Sequence, residues 1–254
     1  MRLSTGFVNR IMDTSSFKDI LTGGVVDIYS GVQPATADAV PNGTKLVTIS
    51  TAAGAYTPEV RGTGTITLTG GAGGNTINSV TVNSINILET AVAFTVSLTD
   101  TATALASALN ASSNNPLYTA TASGAVITLT TIHGLGTSAN TWVVAAGLTG
   151  FTATFSNITG GVAAVNGLRF SVATAGALPK HATDVWQGTV NTSGIAGWFR
   201  FREGDDTGAL ASTTAARLDG SIGTSGADMN LGSLSLTATA PFIIPAAAFT
   251  IAQA

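Results

Sequence analysis

Apolar and polar residues alternate with a period of two along much of this chain, and that period predicts strands. VVDIYSG (25–31) sets Val26, Ile28 and Ser30 on one face and Val25, Asp27 and Tyr29 on the other. A Pro-bearing loop (33–43) ends in an Asn42-Gly43 turn, and KLVTIST (45–51) follows as the partner strand. In GWFRF and the arginine after it, Trp198, Arg200 and Arg202 face one way and Phe199 and Phe201 the other. NGLRFSVATAG (166–176) and DVWQGTV (184–190) read as strands, with a polar loop through Lys180 and His181 between them. SLSLTATAPFIIPAAAFTIA (233–252) closes the chain as two more.

Three stretches have helical spacing instead. Ser4 caps a turn that carries Phe7, Val8, Ile11 and Met12 on one face, and Ser16 caps a second with Phe17, Ile20 and Leu21 that Gly23-Gly24 stops. Asp100 is the expected N-cap of TATALASALNA (101–111), where Leu105 and Leu109 share a face, and SSNNP (112–116) ends it.

Charge divides the chain. Between Arg61 and Arg169 there is no lysine or arginine, and Glu89 and Asp100 are the only acids. Residues 62–163 therefore read as an inserted module, with strands at TGTITLTG, NSVTVNSINIL and VAFTVSL, then the helix, then LYTATASGAVITLTT and GFTATFSNITGG: a β-β-β-α-β-β order. Residues 1–61 and 164–254 join across it into a discontinuous outer domain. The expected fold is mainly β: a β-sandwich outer domain with short N-terminal helices, interrupted by a small β-rich α+β domain. Surface loops accept such insertions because loop-closure entropy grows slowly with length.

The 254 residues are 44% apolar and only 9% charged, with 30 glycines, a mixture suited to short strands and tight turns. A net charge of -3 disfavours nucleic acid as a partner. Mean hydropathy is +0.39, but the most apolar stretch, 241–252, is too short to span a bilayer and holds Pro241 and Pro245, so no membrane partner is expected. The first residues lack the apolar core of a signal peptide, which suggests folding in the cytoplasm. Without cysteine there is no disulfide framework and no thiolate chemistry. Apolarity with so few charges points to surface buried between subunits, hence a homo-oligomer.

The densest chemistry lies in 194–231, which holds three of the ten basic and five of the thirteen acidic residues. Glu203, Asp205 and Asp206 offer oxygen ligands for Ca²⁺, but the spacing is not that of an EF-hand and Arg200 and Arg202 lie close enough to neutralise them; a solvated hairpin loop is expected. Asp219 and Asp228 read as turn residues whose carboxylates bond nearby backbone N–H groups, with Arg217 paired to one of them. His133 and His181 belong to no metal-ligand or triad pattern. Gly70-Gly71-Ala72-Gly73-Gly74 has no following lysine and leads into a strand, so it is a hairpin connection and not a phosphate loop. Trp142, Trp186 and Trp198 could stack on sugars, but core packing is the expectation. No catalytic residue, cofactor site or metal ligand is assigned.

The outer segments resemble small structural proteins of tailed-bacteriophage virions. The likeness lies in LSTGFVNRIM, FKDILTGGVVDIYSGVQPATADAVPNGTKLVTIST, GIAGWFRF and RLDGSIGTSGADMNL. The insert is similar to another module found in phage structural proteins, through GTITLTGG, SVTVNSINIL, TATALASALNAS and YTATASGAVITLT. The resemblance implies a virion protein assembled in the bacterial host cytoplasm. It would be a capsid decoration or cement protein bound to the major capsid protein, as a trimer at capsid three-fold positions. It implies no catalytic residues. A tail or baseplate component is the alternative, and a module that binds host-surface glycans, with Trp198 or the exposed face of the insert as platform, is a third.

Overall fold

The structure is a computed structural model that describes residues 1–13, 15–51, 55–115 and 117–250. The chain is mainly β, with 41% strand and 13% helix. It divides into a discontinuous unit, Met1–Glu59 with Ala164–Ala254, and an inserted unit, Val60–Ala163.

The discontinuous unit opens with β1 (Arg2–Leu3), α1 (Thr5–Asp13), α2 (Phe17–Leu21), β2 (Val25–Ser30) and β3 (Lys45–Thr51). Ser4 caps α1 by accepting the Phe7 N–H at 3.1 Å. It also ties the cap to residues 215–217, donating to the Ala215 carbonyl at 2.8 Å and accepting the Arg217 N–H at 2.9 Å. Of the expected apolar face, only Phe7 is buried; Val8, Ile11 and Met12 stand exposed. The helix meets the unit at Gly6 and Phe7, and a Cβ on Gly6 would lie 2.3 Å from the Thr214 carbonyl oxygen, so this short helix has room for one narrow contact. Ser16 and Asp19 form a reciprocal capping box on α2.

The inserted unit runs β4 (Thr63–Gly70), β5 (Thr76–Val82), β6 (Ile85–Asn86), β7 (Val92–Ala93), α3 (Leu98–Ala111), β8 (Tyr118–Ser123), β9 (Val126–Thr131), β10 (Val144–Thr149) and β11 (Thr152–Thr159). Two four-stranded sheets result, one of β10-β5-β6 with β7 on β5, the other β11-β4-β9-β8. Their core includes Ile66, Val80, Leu105, Leu109, Ile127 and Leu129. The expected β-β-β-α-β-β order is too coarse. The run 78–88 breaks at Asn83 and Ser84 (φ 50 and 66) and the run 117–131 breaks at Gly124 (φ 58), because alternation reads straight through a tight turn. Of VAFTVSL only Val92–Ala93 pairs, and β10 is an additional strand. The cap of α3 is Ser97, which accepts the Asp100 N–H at 3.1 Å and donates to its carboxylate at 2.7 Å; Asp100 sits one turn inside. Pro116 lies outside the described residues.

The discontinuous unit resumes with β12 (Ala177–Pro179), β13 (Trp186–Thr189), β14 (Gly194–Arg202), β15 (Arg217–Gly223), β16 (Met229–Asn230), β17 (Ser235–Leu236), β18 (Pro241–Ile244) and β19 (Ala248–Thr250). Its main sheet has the order β1-β15-β14-β2-β3-β13-β18, with β16 on β15 and β17 on β14; β12 and β19 pair separately. Thr57 and Val165 exchange both backbone hydrogen bonds (3.1 and 3.0 Å), so the chain leaves and re-enters this unit side by side. The expected strand at 166–176 makes only isolated bridges at Phe170 and Thr174. It is held instead where Leu168 exchanges backbone bonds with Gly23 and Gly24 (both 2.8 Å), a crossing so close that a Cβ on Gly167 would meet the Gly23 oxygen at 2.4 Å. The closing run is three short strands and not two, β18 opening on Pro241 and ending before Pro245, and Ile251 and Ala252 lie outside the described residues. One sheet face is apolar. Leu218, Phe201, Val26 and Ile49 lie in register across it, as do Phe199, Ile28 and Val47, and all are buried with Phe7, Ile20, Phe170 and Trp186.

Candidate functional site

Alternation in β14 places Trp198, Arg200 and Arg202 on the face opposite this core, where a one-sided sheet would meet water. That face is closed too: Trp198 and Arg200 are 0% exposed and Arg202 7%. Register aligns Arg2, Asp219, Arg200, Asp27 and Thr48 across β1, β15, β14, β2 and β3. Arg200 grips Asp219 with two parallel bonds of 2.8 Å, from Nε and Nη2. Arg202 Nε donates to Asp27 at 2.7 Å, and Thr48 donates to the other Asp27 oxygen at 2.5 Å. Arg217 grips Asp206 through Nε and Nη2 at 2.6 and 2.9 Å.

The remaining donors hold the loops that cover this layer. Arg200 Nη1 reaches the carbonyls of Ala39 (3.1 Å) and Gly208 (3.3 Å), Arg202 that of Asp206, and Arg2 that of Pro34. Trp198 stacks on Tyr29 (4.4 Å between centroids, 11° between planes) and its Nε1 donates to the Asn42 carbonyl at 3.1 Å. The Arg200 guanidinium lies 5.4 Å from the Trp198 ring centroid. Both loops, 33–43 and 203–216, are thus fastened by arginines rooted in the sheet.

Low polarity around the layer sets its electrostatics. Burial acts to raise the Asp206 carboxyl, but the Arg217 hydrogen bond, the Gly208 N–H and the nearby guanidinium charges hold it below the ordinary carboxylate range. At Asp219 burial prevails over the Arg200 pair and pushes the carboxyl up. Tyr29 is pushed up by burial and then by Asp27. Burial raises Tyr56 to about 12, and its hydroxyl bonds the Gly204 carbonyl at 2.6 Å. Each ionised group of the layer has a specific partner, so the arrangement fixes loop geometry.

These contacts revise the expectations for 203–219. REGDDTG is not a solvated loop: Glu203 is buried, accepting the Ala216 N–H at 2.9 Å and pairing with Arg10, while Asp206 accepts from Arg217 and from the Gly208 N–H at 2.9 Å. Asp205 is half-buried beside them. Asp219 is no turn residue but a fully buried strand residue, and Arg217 pairs with Asp206, not with Asp219 or Asp228. Asp228 does accept a backbone N–H, that of Ser221 at 2.9 Å. Alternation alone gives Asp27 a face of β2 but no role in a site. The available signal is charge interleaved with apolar residues: one in VVDIY and two each in WFRFR and ARLDG.

His181 is half-buried, with Nδ1 3.0 Å from the Thr183 hydroxyl and 3.5 Å from Asp184, which also pairs with Arg169. His133, a residue of the inserted unit, is buried. The Gly70–Gly74 stretch joins β4 to β5, and a strand follows it. Trp186 is buried in the apolar core against Phe170. Burial of Trp198 leaves it no face for a sugar. Trp142 is only half-buried and lines a cavity of about 220 Å³ in the inserted unit, with Tyr118, Asn83 and Asn114 among its neighbours.

No described helix is long and apolar enough to cross a membrane. No family model matches the chain, and searches of curated proteins and of solved structures returned no match.

Proposed function

We propose that this chain is a non-enzymatic structural protein of a tailed-phage virion that decorates the capsid and stabilises it through subunit contacts. The observation that carries this reading is where the discontinuous unit puts its residues: charges are drawn inward to lock its loops, while apolar side chains are left outside. Val8, Ile11 and Met12 of α1 are exposed, Met12 at 79%, as are Met1 and Leu3 of the sheet-edge segment. A stiff unit with exposed apolar side chains is suited to bearing load at an interface, and many copies multiply modest contacts. The sequence resemblance to virion proteins supports the same reading and names the major capsid protein as the partner.

Incorporation into particles tests it. Val8→Asp with Met12→Asp is expected to leave the fold intact and to lower the copy number per particle at least tenfold, as for loss of about 1.4 kcal/mol or more per contact. Excising Val60–Ala163, with a short glycine linker from Glu59 to Ala164, is expected to leave incorporation unchanged, since Thr57 and Val165 are already paired. Hundreds of copies per particle fit decoration. Six or twelve would move the protein to the tail or baseplate, and absence from particles would remove the virion reading.

A further inference from the structure

We infer that the cavity beside Trp142 in the inserted unit is a subsite for one uncharged pyranose ring. Trp142 and Tyr118 form its corner, with centroids 6.3 Å apart and planes at 72°, so two aromatic walls meet almost at right angles. Val82 and Ile87, both buried, stand behind them. At about 220 Å³ the cavity falls below the roughly 300–1,000 Å³ of drug-sized sites, which restricts the occupant to about one small ring.

The rim is polar in a way the walls are not. Asn83 and Asn114 are exposed, and their carboxamides make no hydrogen bond to any described residue. Ser113 is held at the rim by Glu89, whose carboxylate accepts its hydroxyl at 3.3 Å. None of the side chains lining the cavity is charged, which favours a neutral ligand. A pyranose has this same division: C–H groups that stack on aromatic rings, and an equatorial belt of hydroxyls that carboxamides bond in both directions. Burial raises the Tyr118 hydroxyl to about 12, so it remains a neutral donor and acceptor.

The backbone next to Trp142 is strained. Thr141 is β-branched and exposed, yet has φ 79, a region that such residues rarely occupy. Its N–H donates to Ile158 at 2.8 Å and the Trp142 carbonyl accepts from Ile158 at 2.9 Å, which pins the strained residue and with it the indole. Strain of this kind gathers at binding sites, where it pre-organises a side chain.

The inference does not depend on the virion reading, although many copies on a particle would turn weak single-ring binding into useful avidity. The experiment uses the full chain. Methyl pyranosides of glucose, galactose, mannose and N-acetylglucosamine are titrated by saturation-transfer NMR and tryptophan fluorescence, with cyclohexanol as the apolar probe. At least one pyranoside is expected to bind saturably with a Kd on the order of millimolar, as suits a ligand this small. Asn83→Gly with Asn114→Ala is expected to weaken it about tenfold or more at unchanged thermal stability, since glycine accepts the positive φ at 83. Trp142→Phe should weaken it as well. Failure of all four pyranosides to saturate by about 50 mM would overturn the assignment. So would binding that the rim variants do not affect, or cyclohexanol binding more tightly than every pyranoside.

Discussion

In the discontinuous unit, β2, β14 and β15 carry charged residues between apolar neighbours, and those charges pair across the sheet beneath a cover of loops. In the inserted unit the outward positions are hydroxyls and amides that meet across strands in the open: Thr65 with Ser156 at 2.9 Å, Thr69 with Thr152 at 3.0 Å, Asn78 with Thr149 at 2.9 Å. The difference follows from what covers each face. Loop backbone buried over a sheet brings carbonyls that need donors, and water is no longer there to supply them. An arginine has five donors, enough to neutralise a carboxylate and still bond two loop carbonyls, as Arg200 does. A face left wet needs no such group, and threonine suffices.

The comparison breaks most sharply at the buried pairs. Asp219→Ala leaves the Arg200 charge without its carboxylate in a closed layer, and is expected to cost about 3–5 kcal/mol in urea unfolding followed by tryptophan fluorescence. Replacing both partners, Arg200→Met with Asp219→Leu, is expected to cost less than either single change, the mark of a coupled buried pair. In the inserted unit the corresponding weakness is apolar. Leu105→Ala, at a fully buried position of α3, is expected to cost about 2–5 kcal/mol and to move the Trp142 signal.

Asp206→Asn sharpens the contrast through pH. The Asp206 carboxyl is held below its unfolded value, so its contribution is present above that value and is lost as pH falls through the folded one. The variant should be less stable than the parent by about 1–3 kcal/mol near neutrality, and the gap should close as pH drops below about 4. Asp219, pushed up by burial, acts in the opposite sense: its contribution is present at low pH and is lost as pH rises through its folded value. The smallest effect expected is Ser97→Ala at the α3 cap, about 1 kcal/mol by thermal melt, because the two hydrogen bonds of the Ser97 hydroxyl lie at the surface, where water replaces them in part.

Much of the local structure is legible in the chain. Period-two alternation identifies β2, β3 and β14 and assigns each residue of VVDIYS and GWFRFR to a face, and Ser16 three positions before Asp19 marks the cap of α2. Alternation misjudges hairpins such as Asn83-Ser84, where the period passes through the turn without a break. It also overreads 166–176, whose backbone bonds run to Gly23 and Gly24 and not to a ladder. The candidate site is legible only in its ingredients. A charge between apolar residues reads equally well as a solvated face or as half of a buried pair, and the strand pairing that brings Asp27, Arg200 and Asp219 into one row joins residues up to 192 positions apart.

The sequence by itself determined the mainly β character, the faces of the central strands and the capping of the short helices, because these depend on neighbours two to four residues away. The tertiary structure decided that the polar face of the main sheet is closed, that Arg217 meets Asp206, and that Trp198 is enclosed while Trp142 opens on a cavity. Each of those outcomes depends on which distant segment lies over the sheet, and a charged or aromatic side chain carries no local mark of what will cover it.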